Sequence, residues 1–251
     1  MPDSRALFEV IPETGSTNAD LLERLRSGIS LKEGGWLRAE RQTSGRGRHG
    51  REWISPKGNL YCSTVVHLHP DDPSPASLSM VAGLAVYDTI SRCLLPNTPL
   101  VLKWPNDLMV YEAKIAGILL ERQGNSVVAG FGVNVSWSPE IPDRETTHIV
   151  YANGKFANDA ESVLDLLAPA FAQRLEEWRS AGPHNTLLEW AIRSHRYGDM
   201  IRVTGNDGGI RNAHYHGIDS EGGLRFQAIG EQESVLRAGD VILGWHDKEE
   251  G

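Results

Sequence analysis

Leu21, Leu22 and Leu25 recur at helical spacing in TGSTNADLLERLRSG, so residues 14–28 read as a helix. Ser16 or Thr17 can cap it, Asp20 follows three positions after Thr17, and Gly28 ends it. GGWLRAERQ and NLYCSTVVHL have β-rich texture and predict strands, the second closed by the turn PDDPSP. In ASLSMVAGLAVYDTISRCLL the residues Leu78, Val81, Ala82, Ala85 and Ile90 fall on one helical stripe, and the small residues predict close packing on a sheet. Residues 100–135 break into short β-runs with a hairpin turn at Gly124-Asn125. AESVLDLLAPAFAQRLEEWRS is a strongly amphipathic helix in which Pro169 predicts a kink, and TLLEWAIRSHR is a shorter one.

After Gly198 the helical period disappears. Short β-runs broken by Gly, Asn and Asp predict a small barrel or sandwich, which sets a domain boundary near residue 196. The resulting division is 1–196 and 197–251. A chain of 251 residues with 40% hydrophobic content can bury a core of its own. Its 25 basic and 33 acidic residues give a net charge of −8, unlike the basic balance of a nucleic-acid coat. No apolar run reaches a membrane span, and MPDSRALFEV lacks the basic start of a secretion signal. Cys62 and Cys93, far apart, read as buried free thiols, so the expected compartment is the cytoplasm. The pairs His67/His69 and His214/His216 lack the further ligands that would complete a metal site.

Against this acidic background one segment stands out. SGRGRHGREW places Gly45, Gly47 and Gly50 at the dinucleotide-binding spacing. A dinucleotide turn needs a helix directly after the glycines, to hold pyrophosphate on its N-terminus. Here Pro56, Gly58 and Asn59 occupy that place, which excludes the reading. Residues 41–57 carry Arg41, Arg46, Arg48, Arg51 and Lys57 against Glu52 alone. Glycine allows close backbone approach and arginine offers a planar fork for carboxylate or phosphate, so the segment suits a loop wrapped around a small anion. KWPND, KIAGILLE and GFGVNV each carry a polar residue that turn chemistry or snorkelling could explain alone.

In this order GSTN, RQTSGRGRHGREWISPKGNLYCS, KWPNDL, KIAGILLE and GFGVNV resemble the biotin protein ligases, with GIDSEGGL and AGDVIL continuing the likeness to about residue 244. The family activates biotin with ATP to biotinyl-5′-AMP, then passes the biotinyl group to one lysine of a biotin carboxyl carrier domain. The resemblance implies an α+β fold: a mixed, class II synthetase-like sheet with helices packed on it, followed by an SH3-like β-barrel. It implies the short, ligase-only type without a DNA-binding domain, and it leaves a homodimer open. By matching motif position, Ser16, Thr17, Asn18 and Gln42 would meet biotin. Gly45, Arg46, Gly47 and Arg48 would close over biotin and its adenylate. Arg51 and Trp53 would face the nucleotide, Asn134 the adenine, and Lys114 would bridge the biotin carboxylate and the α-phosphate. Asn106 and Asp107 would stand near the phosphates, Mg²⁺ or the incoming lysine, with Lys114, Arg48 and Asp107 as the catalytic set. His49 stands where many relatives carry another basic residue. Trp137 is near the position of an adenine-covering tryptophan, and Gly244 near that of a nucleotide-contacting arginine. Two rivals remain. A lipoate or octanoate ligase or transferase shares the lysine-x-x-glycine strand, and a nucleic-acid module could use the basic island but meets the overall acidity.

Overall fold

The β-rich run after residue 59 becomes a central strand of a computed structural model whose described residues are 7–142, 144–153, 159–204, 209–237 and 239–243. Seven strands form the larger sheet: β1 (Phe8–Ile11), β2 (Trp36–Ala39), β3 (Leu60–His67), β4 (Leu100–Lys103), β5 (Asp107–Val110), β6 (Ala113–Gln123) and β7 (Ser126–Val133). Their order is β1-β2-β3-β7-β6-β5-β4. β1 and β2 are parallel, joined through helix α1 (Thr17–Arg26), and every other neighbouring pair is antiparallel. β6 and β7 meet at the expected Gly124-Asn125 turn, where Gly124 has φ +58°.

Two-residue alternation divides the sheet faces. Leu60, Cys62 and Val66 of β3 and Ala129, Phe131 and Val133 of β7 belong to the main apolar core. That core also takes in α2 (Leu78–Cys93), α4 (Ala160–Ala181) and Trp190 of α5 (Pro183–Ile192). The other face has a smaller cluster, Leu37, Val65 and Val128 under Leu21 and Leu22 of α1. On that face β7 presents Gly130 and Gly132, and the missing side chains leave room beside α1.

α2 is buried nearly all round, because it lies between the sheet and two other helices. The stripe predicted for it is buried throughout. α4 starts at a capping box between Asp159 and Ser162 and runs on through Pro169 to Ala181 as one helix. A short α3 (Ile149–Asn153) precedes it.

The remaining strands form a five-stranded antiparallel sheet, ordered β11-β10-β9-β8-β12. They are β8 (Met200–Thr204), β9 (Ile210–Ile218), β10 (Leu224–Ala228), β11 (Glu233–Leu236) and β12 (Asp240–Leu243). Among the described residues its two edge strands do not pair with each other, so the expected barrel is observed as an open sheet. Its inner residues Ile201, Val203, Tyr215 and Leu224 join the same apolar cluster as α2. The Trp104 indole donates across to the Gly222 carbonyl at 2.9 Å. Both cysteines are buried free thiols, as expected. Gly244 lies outside the described residues.

Candidate active site

The space left by the β7 glycines opens into a cavity of about 610 Å³. One wall is the N-terminus of α1. Ser16 precedes its first turn in an extended conformation, and its side chain makes no capping bond. The cap expected from Ser16 or Thr17 is supplied instead by Gln42, whose Oε1 accepts the Thr17 N–H at 2.9 Å. A side chain 25 positions away does the work because the chain returns there, Thr14 and Gln42 forming a β-bridge. The Thr17 hydroxyl joins a buried polar chain: it lies 3.2 Å from Gln42 Oε1 and 2.7 Å from Ser63 Oγ, and Ser63 donates to Asn18 Oδ1 at 2.6 Å. Gln42 donates its amide to Ser55 Oγ at 3.1 Å. Ser16, Thr17 and Asn18 are all buried and line the cavity with Gln42.

The glycine–arginine segment forms a small hairpin over this wall. Gly47 N–H donates to the Arg51 carbonyl at 2.7 Å and Trp53 N–H to the Gly45 carbonyl at 2.9 Å. A single 3-10 turn at Arg48–Gly50, with His49 at φ 57° and Gly50 at φ +71°, makes the tip. No helix follows, as the residues predicted. Arg46, Gly47, Arg48 and Arg51 face the cavity. Gly45 does not line it: a Cβ there would strike the Trp53 carbonyl and Ser55, so this glycine permits the close crossing of two backbones. Arg48 also donates to the Gly239 carbonyl at 3.1 Å, tying the hairpin to the second sheet.

Trp53 forms the floor. Its ring lies against Gly117 and Gly132, where added Cβ atoms would stand 3.0 Å and 2.5 Å from the indole. Its Nε1 is buried without a hydrogen-bond partner. Lys114 Nζ sits 5.1 Å from the ring centroid, within cation–π reach. Strict alternation would send positions 114 and 117 to opposite faces. A register shift between Leu108 and Met109, opposite Ala116 and Lys114, brings both to Trp53.

Lys114 pairs with Asp107 at 2.6 Å, both side chains largely buried. Asn106, next along, is partly committed to structure: its amide donates to the Ile118 carbonyl at 2.5 Å, and Ile118 N–H returns to the Asn106 carbonyl. Asn134, 3% exposed, donates to the Thr147 carbonyl at 3.0 Å and also lines the cavity. Thus, of the residues assigned to biotin, ATP or catalysis by motif position, all but Gly45 border one cavity.

Three contributors were not legible in the sequence. Ser55 and Ser63 complete the polar chain on α1, and Glu121 of β6 accepts from Asn18. A serine inside a β-run gives no sign of its partner, which comes from 45 positions away. Pro139, Ile141, Pro142, Arg144 and Thr146 supply a further wall, held by Lys114 N–H donating to the Glu145 carbonyl. Trp137 does not line the cavity; its backbone is fixed by Asn59 and its side chain is 38% exposed. Cys62 borders the cavity, but its side chain belongs to the main core on the other sheet face, and burial pushes the thiol pKa far above the usual range. Among the described residues no three His, Cys, Asp or Glu side chains cluster as a metal site.

Residues 8–137 match the Biotin/lipoate A/B protein ligase family. A biotin–[acetyl-CoA-carboxylase] ligase from Paracoccus denitrificans is 36% identical over 247 residues, which are 94% of this chain and 100% of the relative. One from Mycobacterium tuberculosis is 37% identical, over 94% of this chain and 88% of the relative. Biotin protein ligase from Aquifex aeolicus, solved in complex with biotin and ATP, superposes with a TM-score of 0.80 at 25% identity, covering 95% of this chain and 98% of that one. Motif order, sheet topology and these matches agree, and the chain belongs to the biotin/lipoate A/B protein ligase family.

Proposed function

We propose that this protein is a biotin protein ligase that makes biotinyl-5′-AMP from biotin and ATP and then biotinylates a lysine of a biotin carboxyl carrier domain. The carrying observation is the polarity of the cavity. Hydroxyl and amide groups of Ser16, Thr17, Asn18 and Gln42 line one part, the Lys114–Asp107 pair another, and the arginine hairpin overhangs them. The first part suits the donors and acceptor of a ureido ring. Trp53, which the motif position gives to the nucleotide, lies over two glycines, and its flat apolar face serves as a floor for the bicyclic ring as well.

In adenylation two anions must meet, a carboxylate oxygen and the α-phosphorus of ATP. Lys114 offsets the repulsion and the charge that develops, with Arg48 and Arg51 facing the phosphates. Asn134 spends its amide hydrogens on protein carbonyls, which leaves Oδ1 to accept from the exocyclic amine of adenine. Asp107 is the carboxylate nearest this chemistry, and one carboxylate plus substrate phosphates is a usual Mg²⁺ donor set. The ion would be held by Asp107 and the triphosphate and would neutralise phosphate charge. The adenylate is a mixed anhydride that water destroys, so a hairpin closing over it preserves it for the second step. There Asp107 orients the acceptor amine or takes its proton. We further propose that residues 197–251 form a small SH3-like domain packed onto the main core, and that the enzyme works in the cytoplasm. Among the described residues no helix is long and apolar enough to cross a membrane.

The test is pyrophosphate release with biotin, lipoate and octanoate in turn, followed by labelled-biotin transfer to an apo carrier domain. Biotin-dependent release followed by transfer is expected. Release with lipoate or octanoate and none with biotin overturns the reading.

A further inference from the structure

We infer that Glu121, on β6 outside the residues assigned above, is a positioning residue that sets the direction of hydrogen bonding in the ring-binding part of the cavity and couples it to the arginine hairpin. The inference rests on the biotin ligase reading. Its basis is a count of protons. The Asn18 amide donates to Glu121 Oε2 at 2.9 Å and to the Leu119 carbonyl at 3.2 Å. Flipping that amide would set its oxygen against a carboxylate and a carbonyl, two groups that only accept. Nor can the side chain swing aside, since it fills the space where Gly130 lacks a Cβ. Asn18 Oδ1 is thereby held towards Ser63, which donates to it at 2.6 Å.

Ser63 has one hydroxyl proton, now spent. Its 2.7 Å contact with Thr17 Oγ1 can then use only the Thr17 proton, for which Gln42 Oε1 at 3.2 Å is the other acceptor. Thr17 is left with lone pairs alone for the cavity, which makes it an acceptor for a ureido N–H and not a donor to the ureido carbonyl. Glu121 acts through Asn18 and Ser63, three groups removed from the ligand. Its second oxygen, Oε1, stands 3.7 Å from Arg46 Nη2 of the hairpin. That pair is half-exposed and weak by itself. It nevertheless joins the ring-binding chain to the segment that closes above it, through one carboxylate.

The test compares Glu121→Gln with Glu121→Ala by calorimetric titration of biotin, steady-state KM for biotin and ATP, and thermal unfolding. The Gln amide oxygen can still accept from Asn18, so Glu121→Gln should hold the biotin Kd within about threefold. It loses the charge opposite Arg46 and should release preformed adenylate a few-fold faster. Glu121→Ala leaves only the longer 3.2 Å bond to the Leu119 carbonyl to hold the Asn18 amide, and biotin Kd and KM should rise about tenfold, the scale of one hydrogen bond to a charged group, with the ATP KM unchanged. If the Ala variant unfolds, Glu121→Met keeps the bulk and loses the acceptor. Equal biotin binding by the Ala or Met variant overturns the inference, as does a parallel rise in the biotin and ATP KM values. If the wild-type protein takes up no biotin, the ligase reading itself falls, whatever the variants do.

Discussion

At Lys114 the protein holds an ammonium 2.6 Å from a carboxylate and 5.1 Å from an indole ring, in a place only 13% exposed. A cation kept there serves a reaction that brings two anions together. Replacing Lys114 by Ala should lower adenylate formation about 10²-fold or more, measured as biotin-dependent pyrophosphate release, as for loss of one transition-state charge partner. Near-normal release would remove Lys114 from that role. Asp107→Ala should slow transfer to the carrier more than adenylation, and equal loss in both half-reactions would assign Asp107 to phosphate or metal alone. Gly132 carries a prediction of a different kind. A Cβ there would stand 2.5 Å from the Trp53 indole, and because Gly117 of the neighbouring strand lies under the same ring, the indole must shift away from the sheet and into the cavity. Gly132→Ala should raise the biotin KM about tenfold and cost about 1–3 kcal/mol of stability by overpacking. An unchanged KM would mean that Trp53 is not the floor of the biotin site.

Among the elements, the 44–53 hairpin is the one whose sequence and structure most clearly serve different ends. Its backbone is stitched by Gly47 to Arg51 and Trp53 to Gly45, while its arginines point charge at the cavity. Arg48 reaches across to Gly239, so the segment has a fixed contact before any ligand arrives. Biotin and ATP together should protect residues 44–51 from proteolysis at the arginines, by giving Arg46, Arg48 and Arg51 an anion to grip. Cleavage at the same rate with and without both substrates would refute closure of this loop. The α1 N-terminus shows the converse economy: Gln42 Oε1 satisfies its backbone and also accepts from the Thr17 hydroxyl, which joins it to Ser63 in the buried polar chain.

Over the whole molecule, the two sheets share one apolar cluster, and His195 sits where they join. Its ring meets Tyr215 edge-on at 5.5 Å and its Nε2 is buried with no partner. Burial pushes the His195 pKa down to about 4, with Lys103 adding to the fall and Asp199 opposing it. The unfolded chain takes up that proton near 6.5, so between pH 6.5 and 4 it binds more protons than the folded chain. Stability contributed by the neutral ring is therefore full above pH 6.5 and lost as pH falls towards 4. Urea unfolding at pH 7 and pH 5 should show a smaller difference for His195→Phe than for the wild type; an equal difference would clear His195 of the effect.

Much of this protein was readable before any fold was known. Helical stripes in α2 and α4, the Gly124-Asn125 turn and the failed dinucleotide pattern are local facts, and backbone sterics and side-chain spacing decide them within a few residues. The family motifs likewise nominated residues that border one cavity, because each motif is a short run with its chemistry written in place. What spacing could not supply is who meets whom. Among the described residues the strands after Gly198 form an open sheet in place of a closed barrel, and neither Ser16 nor Thr17 caps α1. Ser63, Glu121 and the wall that begins at Pro139 join the site from 45, 103 and more than 120 positions away from Asn18. A hydrogen bond has no sequence range. Its donor and acceptor are chosen by which strands lie side by side, and that choice belongs to the packed sheet and not to any segment of it.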